Sequence, residues 1–519
     1  MKKLLIYLVL AVSIWGCQKD NVTAPDSEPE LPVGNDSIEL VSVSFEAKNN
    51  PGKITADINC RITADEITAL VPAFTNNKKF VASFVTKNAK ITANDTALVS
   101  GVTATDFRMP VTYKLTSEKG TTKTYKFTLK NFTGIPILYL NTENFVSISS
   151  KDVYLNGSLK INTNTLYEQA KTTIPLQVKG RGNSTWGMPK KPYRLKFTDK
   201  SPMLGMASAK NWVLLANYSD KTLLRTSTAF ELGTKIGADF TPQGRFVELV
   251  LNGKYNGAYF LTSQVEVHES RVNIPELKKS NTSAEDITGG YLLEQDMRLD
   301  EDNWFRTQKS DLPITIKSPE DITADQLTYI KNYIQQTEDA IFSADFADTE
   351  KGYNMYINVE SFINWFIVQE IMKNEDAKDK TSIFYYKNRG GKLGLGPLWD
   401  FDLAAGNVYY SDAQYPTGWW IKDGPWFSRL FQDPNFRAKV KARWNAVKNT
   451  AIKDMAASID KNAAYIERSQ QKNFGEWDIL NVTVWPNPVA YGTYAKEVAQ
   501  IKTWLSTRIA WLDAEINRL

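Results

Sequence analysis

Strand-like alternation dominates this chain to about residue 296, and helical periodicity takes over after it. That segregation predicts an α+β architecture with two lobes. One stretch of the helical half breaks the pattern. A broad apolar helix pattern over Val359 to Lys373 stops at Asn374-Glu375-Asp376. Two strand-like runs follow, Ile383 to Lys387 and Lys392 to Leu395, around the turn Asn388-Arg-Gly-Gly391. The second run leads into Pro397-Leu-Trp-Asp-Phe-Asp402. Three carboxylates, Asp376, Asp400 and Asp402, therefore stand at the ends of rigid elements. Hard cations and phosphoryl chemistry use acids placed in this way. Asp400 and Asp402 are two apart, so on an extended strand end they share a side. Asp402 could instead cap the next turn.

The strand-rich half has its own landmarks. Short alternating segments from Ser37 to about Phe132 predict an all-β sandwich. Val178 to Phe197 then reads as two strands around a glycine-rich, basic turn. Gly180 and Gly182 permit close backbone approach, and Lys190, Lys191, Arg194 and Lys196 supply positive charge for an anion such as phosphate. Lys221 to Ile236 reads as a helix capped near Ser219 or Asp220, and Arg225 falls on it. Arg245 to Val267 is a hairpin turning at Asn252-Gly253. Further on, helices are predicted over Asp325 to Phe342, Phe427 to Asn449, Ala451 to Gln470 and Ala495 to Leu519.

Composition removes several classes of function. With 519 residues, a prior of about 150 per domain gives two to four domains. A net charge of +4 without a long Lys/Arg block argues against nucleic acid as a partner. The single histidine, His268, rules out multi-histidine zinc sites and reads as a solvated strand-end residue.

The N-terminus predicts export. Met1-Lys-Lys3 is a basic start, Leu4 to Ile14 is apolar, and Ile14-Trp-Gly-Cys17 resembles a lipobox. The expected arrangement is a signal peptide over 1–16, a lipidated Cys17 and a Pro/Glu/Asp/Ser-rich tether over 17–36. An all-β sandwich over 37–133 and the main domain over 134–519 follow. The lipid would be the only contact with a membrane, and the location a bacterial cell envelope, periplasmic or surface-exposed. Cys60, without a partner in the mature chain, reads as a small buried residue.

Several ordered motifs resemble the spore-coat protein H (CotH) kinase family. They are Lys179-Gly-Arg-Gly-Asn-Ser-Thr-Trp186, Lys190-Lys-Pro-Tyr-Arg-Leu-Lys196, Asn211-Trp-Val-Leu-Leu-Ala-Asn217, Asn252-Gly-Lys-Tyr-Asn-Gly-Ala-Tyr-Phe-Leu261, Gly289-Gly-Tyr-Leu-Leu-Glu294 and Gly396-Pro-Leu-Trp-Asp-Phe-Asp402. The resemblance spans roughly residues 135 to 519. It implies an atypical protein-kinase-like fold using ATP and a divalent metal such as Mg²⁺. It also implies Asp376 as the catalytic aspartate and Asp400, with Asp402, as metal ligands. The glycine-rich turn, with Lys179, Arg181, Asn183, Lys190, Lys191, Arg194 and Lys196, would face the nucleotide phosphates. The sandwich over 37–133 resembles immunoglobulin-like modules. The sequence departs from the family between Asp376 and the aromatic strand, where Ala377-Lys-Asp-Lys-Thr-Ser382 stands and Ser382 or Asp379 is left to replace a second metal ligand. It also departs at Ser263, where a Glu is common.

Three readings of function follow. The first is a phosphotransferase acting on Ser/Thr of an exported or surface protein. The second is a non-catalytic surface module binding a protein or glycan, suggested by the aromatic stretch Trp419-Trp420 to Trp426. The third is a glycosidase using paired carboxylates, Glu294 with Asp296 or Asp376 with Asp400.

Overall fold

The computed structural model describes residues 37–54, 57–72 and 78–519. The predicted leader, Cys17 and the tether lie outside them. Two compact units emerge, one drawn from within Met1–Leu70 and Asn77–Lys130, the other from Val71–Asn76 and Asn131–Leu519.

The first unit is all-β. A three-stranded sheet is centred on Glu39–Phe45, and a six-stranded sheet runs through Glu66–Pro72, Thr122–Phe132 and Val111–Thr116. Strict alternation explains why. Along Val111–Thr116 every second residue (Val111, Tyr113, Leu115) is buried and the residues between them point outward. The buried face carries a ring cluster in which Phe45 lies 4.7 Å from Phe80 and Phe107 lies 4.7 Å from Phe127. Cys60 is a free, half-buried thiol, pushed up to about 12 by burial.

The second unit is α+β. Seven strands close a barrel: β1 (Ile137–Thr142), β2 (Leu155–Asn162), β3 (Thr173–Gly180), β4 (Tyr193–Met203), β5 (Met206–Leu215), β6 (Gly244–Leu251) and β7 (Lys254–Ser263). The order is β1-β2-β3-β4-β5-β7-β6, and β6 returns to pair with β1 in parallel, Ile137 opposite Glu248. Inward residues such as Leu140, Leu159, Val178, Leu195, Trp212 and Leu261 fill it. Asn252 and Gly253 both hold positive φ, 49° and 78°, which the tight β6–β7 turn requires.

A second sheet orders β8 (Tyr291–Gln295), β9 (Trp304–Arg306), β10 (Pro313–Ser318), β11 (Ile383–Lys387) and β12 (Leu393–Leu395) as β9-β10-β8-β11-β12. The helices are α1 (Arg225–Lys235), α2 (Ala324–Phe342), α3 (Val359–Met372), α4 (Pro425–Leu430), α5 (Pro434–Val447), α6 (Met455–Tyr465), α7 (Glu467–Glu476) and α8 (Tyr494–Arg518). Thr323 and Gln326 close a capping box on α2. α3 is buried from Ser361 to Met372, as its continuous apolar sequence demands.

Three helices differ from the sequence reading. Lys221 to Ile236 becomes helical only at Arg225, with Leu224 and not Ser219 or Asp220 at the N-cap. Phe427 to Asn449 is not one helix. Asp433-Pro434 ends α4 and starts α5, because proline fits the first turn of a helix and not its interior. Ala451 to Gln470 divides at Ile466 between α6 and α7. Among the described residues no helix is long and apolar enough to cross a membrane.

Candidate active site

Asp376 sits in the loop after α3. The helix stops at Lys373, which takes a left-handed φ of 43°. Its ammonium donates to the carbonyls of Asp412 (2.7 Å), Tyr415 (2.9 Å) and Thr417 (2.6 Å), so the loop leaves the helix at a fixed angle. The buried Asn374 then donates from Nδ2 to the backbone oxygen of Asp400 at 2.9 Å. One side chain thereby ties the strand-end acid to the loop that carries Asp376.

Asp400 is framed by aromatic anchors. Trp399 and Phe401 are buried, and both rings lie 6.2 Å from Phe230 of α1. Asp400 between them has φ of 60°, in the left-handed region. The expectation of an extended strand end is therefore incorrect. The chain turns at Asp400, and what brings its carboxyl near Asp402 is that turn rather than two-residue alternation. Ser382 donates to Asp400 Oδ2 at 3.2 Å.

The three acids form one electrostatic group. Burial, then the Asp400 charge, raises Asp376 to about 7, with Lys380 and Arg298 opposing. Burial and the charges of Asp400 and Asp376 hold the Asp402 carboxyl well above the usual range. Like charges forced together in this way favour a bound cation or a shared proton. Asn374 Oδ1 is buried and accepts no hydrogen bond, a further oxygen of the kind a hard cation takes. Among the described residues no group of three or more His, Cys, Asp or Glu forms a ready metal cage. A cation here would therefore complete its shell with water or phosphate oxygens, as Mg²⁺ commonly does.

The glycine-rich turn reaches this group through Arg181. Burial lowers the pKa of its guanidinium, while Asp400, Asp402 and Glu294 hold it up. The guanidinium lies 5.5 Å over the Trp399 ring. Gly180 has no room for a side chain, since a Cβ there would lie 2.3 Å from the Trp186 ring.

A family model described as CotH kinase protein matches residues 178–512. The chain belongs to that family. No curated protein matches it. A solved structure described as a "putative glycoside hydrolase" from Bacteroides thetaiotaomicron is similar at 18% identity, with a TM-score of 0.16. It covers 36% of this chain, which spans 54% of that one, and a likeness at that level carries no argument about the fold.

In this CotH chain the remaining predicted residues scatter. Lys190 is buried away from the acids. Its ammonium bonds to Asn473 Oδ1 at 2.8 Å and to the Ala258 carbonyl, so it is not free for a phosphate. Lys191 donates to the Trp186 carbonyl at 2.6 Å and lies over that ring. Lys179 and Lys196 both lie over the Tyr154 ring, at 4.8 and 5.8 Å. Arg194 pairs across from Lys179, and its charge reaches Arg181. Asn183, with its amide oxygen turned to the guanidinium, lies against the Arg298 group, 2.9 Å from Nη2.

The aromatic stretch suggested as a ligand surface is mostly core. Trp420 and Trp426 are buried, and Trp419 packs 5.2 Å from Trp511. Exposed rings near this stretch include Tyr409, Tyr410, Tyr415 and Trp485. Asp296 is held by Arg298 (3.2 Å) and Thr381 (3.1 Å), whereas Glu294 faces Lys317 at 3.6 Å and is raised by burial to about 7. His268 is a turn residue bonded through Nδ1 to Ser270 Oγ at 2.9 Å.

Sequence reading missed Arg298, Lys317 and Asn374. Arg298 carries a weak signal, a cation two residues beyond Glu294-Gln-Asp296 at a strand end. A hollow of about 550 Å³ opens elsewhere, between Tyr167, Phe230, Arg245 and Tyr465, and takes in none of the three acids.

Proposed function

We propose that this CotH protein is an atypical, two-lobed kinase-like phosphotransferase. It moves the γ-phosphoryl of ATP to a Ser/Thr hydroxyl of an exported or surface protein. One observation carries the reading: Arg181 of the glycine-rich turn lies 5.5 Å over the Trp399 ring, next to Asp400, whose backbone Asn374 ties to the loop that bears Asp376. Membership of the CotH family supports nucleotide and metal use. When bound, Mg²⁺ neutralises β- and γ-phosphate oxygens. Asp400 and Asp402 would hold that cation, with Ser382 fixing the Asp400 carboxylate. Arg181 would hold phosphate oxygens. Asp376, partly exposed, orients the acceptor hydroxyl and takes its proton. In the same reading the N-terminal unit is an immunoglobulin-like spacer, and Cys17 carries the lipid that keeps the enzyme at a bacterial envelope.

The test is label transfer from γ-labelled ATP with Mg²⁺ to envelope proteins. Transfer by the wild type and its loss in Asp376→Asn is expected. Equal transfer by both, or none by the wild type, ends the reading.

The exposed Tyr409, Tyr410 and Trp485 support a second reading, a non-catalytic surface module binding a protein or glycan. Calorimetry that finds no nucleotide binding, together with tight binding of a glycan or envelope protein, would favour it.

A further inference from the structure

Arg298 lies just beyond β8 and is spoken for on three sides. Its backbone N–H donates to Asp296 Oδ1 at 3.0 Å, and its Nη2 donates to Asp296 Oδ2 at 3.2 Å. The same nitrogen donates to Thr381 Oγ1 at 2.6 Å, and Thr381 donates on to Asp296 Oδ1 at 3.1 Å. Asp296 and Thr381 are buried. Thr381 belongs to the loop that begins at Asp376, and its N–H returns to the Asp376 carbonyl at 3.3 Å. The guanidinium is thus anchored from below on two groups of the acid-bearing wall. Its outer side meets Asn183, whose amide oxygen, turned to the guanidinium, lies 2.9 Å from Nη2, 3.1 Å from Nη1 and 3.2 Å from Nε, over the flat face of the group. Asn183 lies two residues beyond Arg181, at the tip of the glycine-rich turn.

We propose that Arg298 is a positioning residue that clasps the glycine-rich turn to the acid-bearing loop, and so sets how tightly a nucleotide's phosphate chain is gripped between Arg181 and the carboxylates. The nucleotide part rests on the kinase-like reading; the clasp itself does not. The Nη2 edge of a planar guanidinium bonds the carboxylate and the hydroxyl while its flat face takes the amide oxygen. A lysine ammonium keeps the charge and cannot span the three. The role therefore belongs to the shape of the group as well as to its charge. Asn183 is exposed, so its substitution leaves the buried anchors intact.

The experiment has two arms on the full chain. Hydrogen exchange is followed over residues 178–192 in the wild type and in Arg298→Ala, Arg298→Lys, Asn183→Ala and Asn183→Asp. Faster exchange of this turn in Arg298→Ala, Arg298→Lys and Asn183→Ala is expected, with wild-type exchange in Asn183→Asp, which retains an acceptor. Unchanged exchange in Asn183→Ala, or full rescue by Arg298→Lys, overturns the clasp. Binding of a fluorescent ATP analogue with Mg²⁺ is then measured. Weakening by about tenfold is expected for Arg298→Ala and for Asn183→Ala, and no further weakening in the double variant. Independent, multiplying losses would overturn the coupling. No binding by the wild type would sink the kinase-like reading and leave the exchange result standing.

Discussion

Asp220 and Arg225 form a buried ion pair at 2.6 Å, and the same guanidinium donates through Nε to the Ala404 carbonyl at 2.9 Å. Asp220 also accepts from the Arg225 N–H at 2.9 Å, so from outside the N-cap, which is Leu224, it holds the first backbone N–H of α1 while orienting the Arg225 side chain. The start of α1 is thereby fastened to the segment directly after Asp402. Removing one partner strands the other charge in the interior. Asp220→Ala and Arg225→Ala should each lose roughly 3–5 kcal/mol of stability, read as a lower midpoint in urea unfolding. The double variant should lose less than the sum, because the stranded charge is gone.

Metal and nucleotide should stabilise the protein together. Mg²⁺ with ATP is expected to raise the melting temperature of the wild type, and chelation should reverse the rise. Asp400→Asn removes the charge the cation would meet. Its melting temperature should stay flat on adding the same mixture, as calorimetric scanning would show. A rise equal to that of the wild type would mean that the cation is held elsewhere.

Lys190 offers a pH test away from the chemistry. Burial lowers its folded pKa to about 7 from 10.5. Between those values the unfolded chain carries a proton that the folded chain has released. Stability should therefore rise with pH through that window, by roughly 2 kcal/mol from about pH 7 to about pH 9. Lys190→Met removes the titration, and its urea midpoint should lack this increment over the same range. Asn473 Oδ1 keeps its bond from the Ala258 N–H at 3.0 Å, so the variant should still fold.

The glycine-rich turn should not tolerate a methyl group at its first glycine. A Cβ on Gly180 would sit 2.3 Å from the Trp186 ring. Gly180→Ala should cost about 1–3 kcal/mol through overpacking and should displace Trp186. Indole fluorescence and a urea midpoint would both report it. A silent substitution would mean that the ring is free to move.

Much of this architecture was legible in local sequence. Asn252-Gly253 announced the β6–β7 hairpin, Asn388-Arg-Gly-Gly391 announced β11–β12, and the unbroken apolar run of α3 announced its burial. Each of these is set by residues a few positions apart. The missing features depend on distant partners. Nothing near Lys190 reveals that Asn473 will meet its ammonium, and nothing near Trp420 reveals that its indole N–H will reach the Asn374 carbonyl at 2.9 Å. The turn at Asp400 was missed because a left-handed residue between two buried rings is imposed by their packing on Phe230, which alternation cannot show.

The parallel pairing of β1 with β6 has a consequence for how the chain is made. Ile137 waits for Glu248, and every other barrel strand lies between them in sequence or just after. A nascent or clipped chain ending before Gly244 leaves β1 with an unsatisfied edge, open to strands of neighbouring molecules. By this topology, folding only once the whole barrel is present would keep that edge covered.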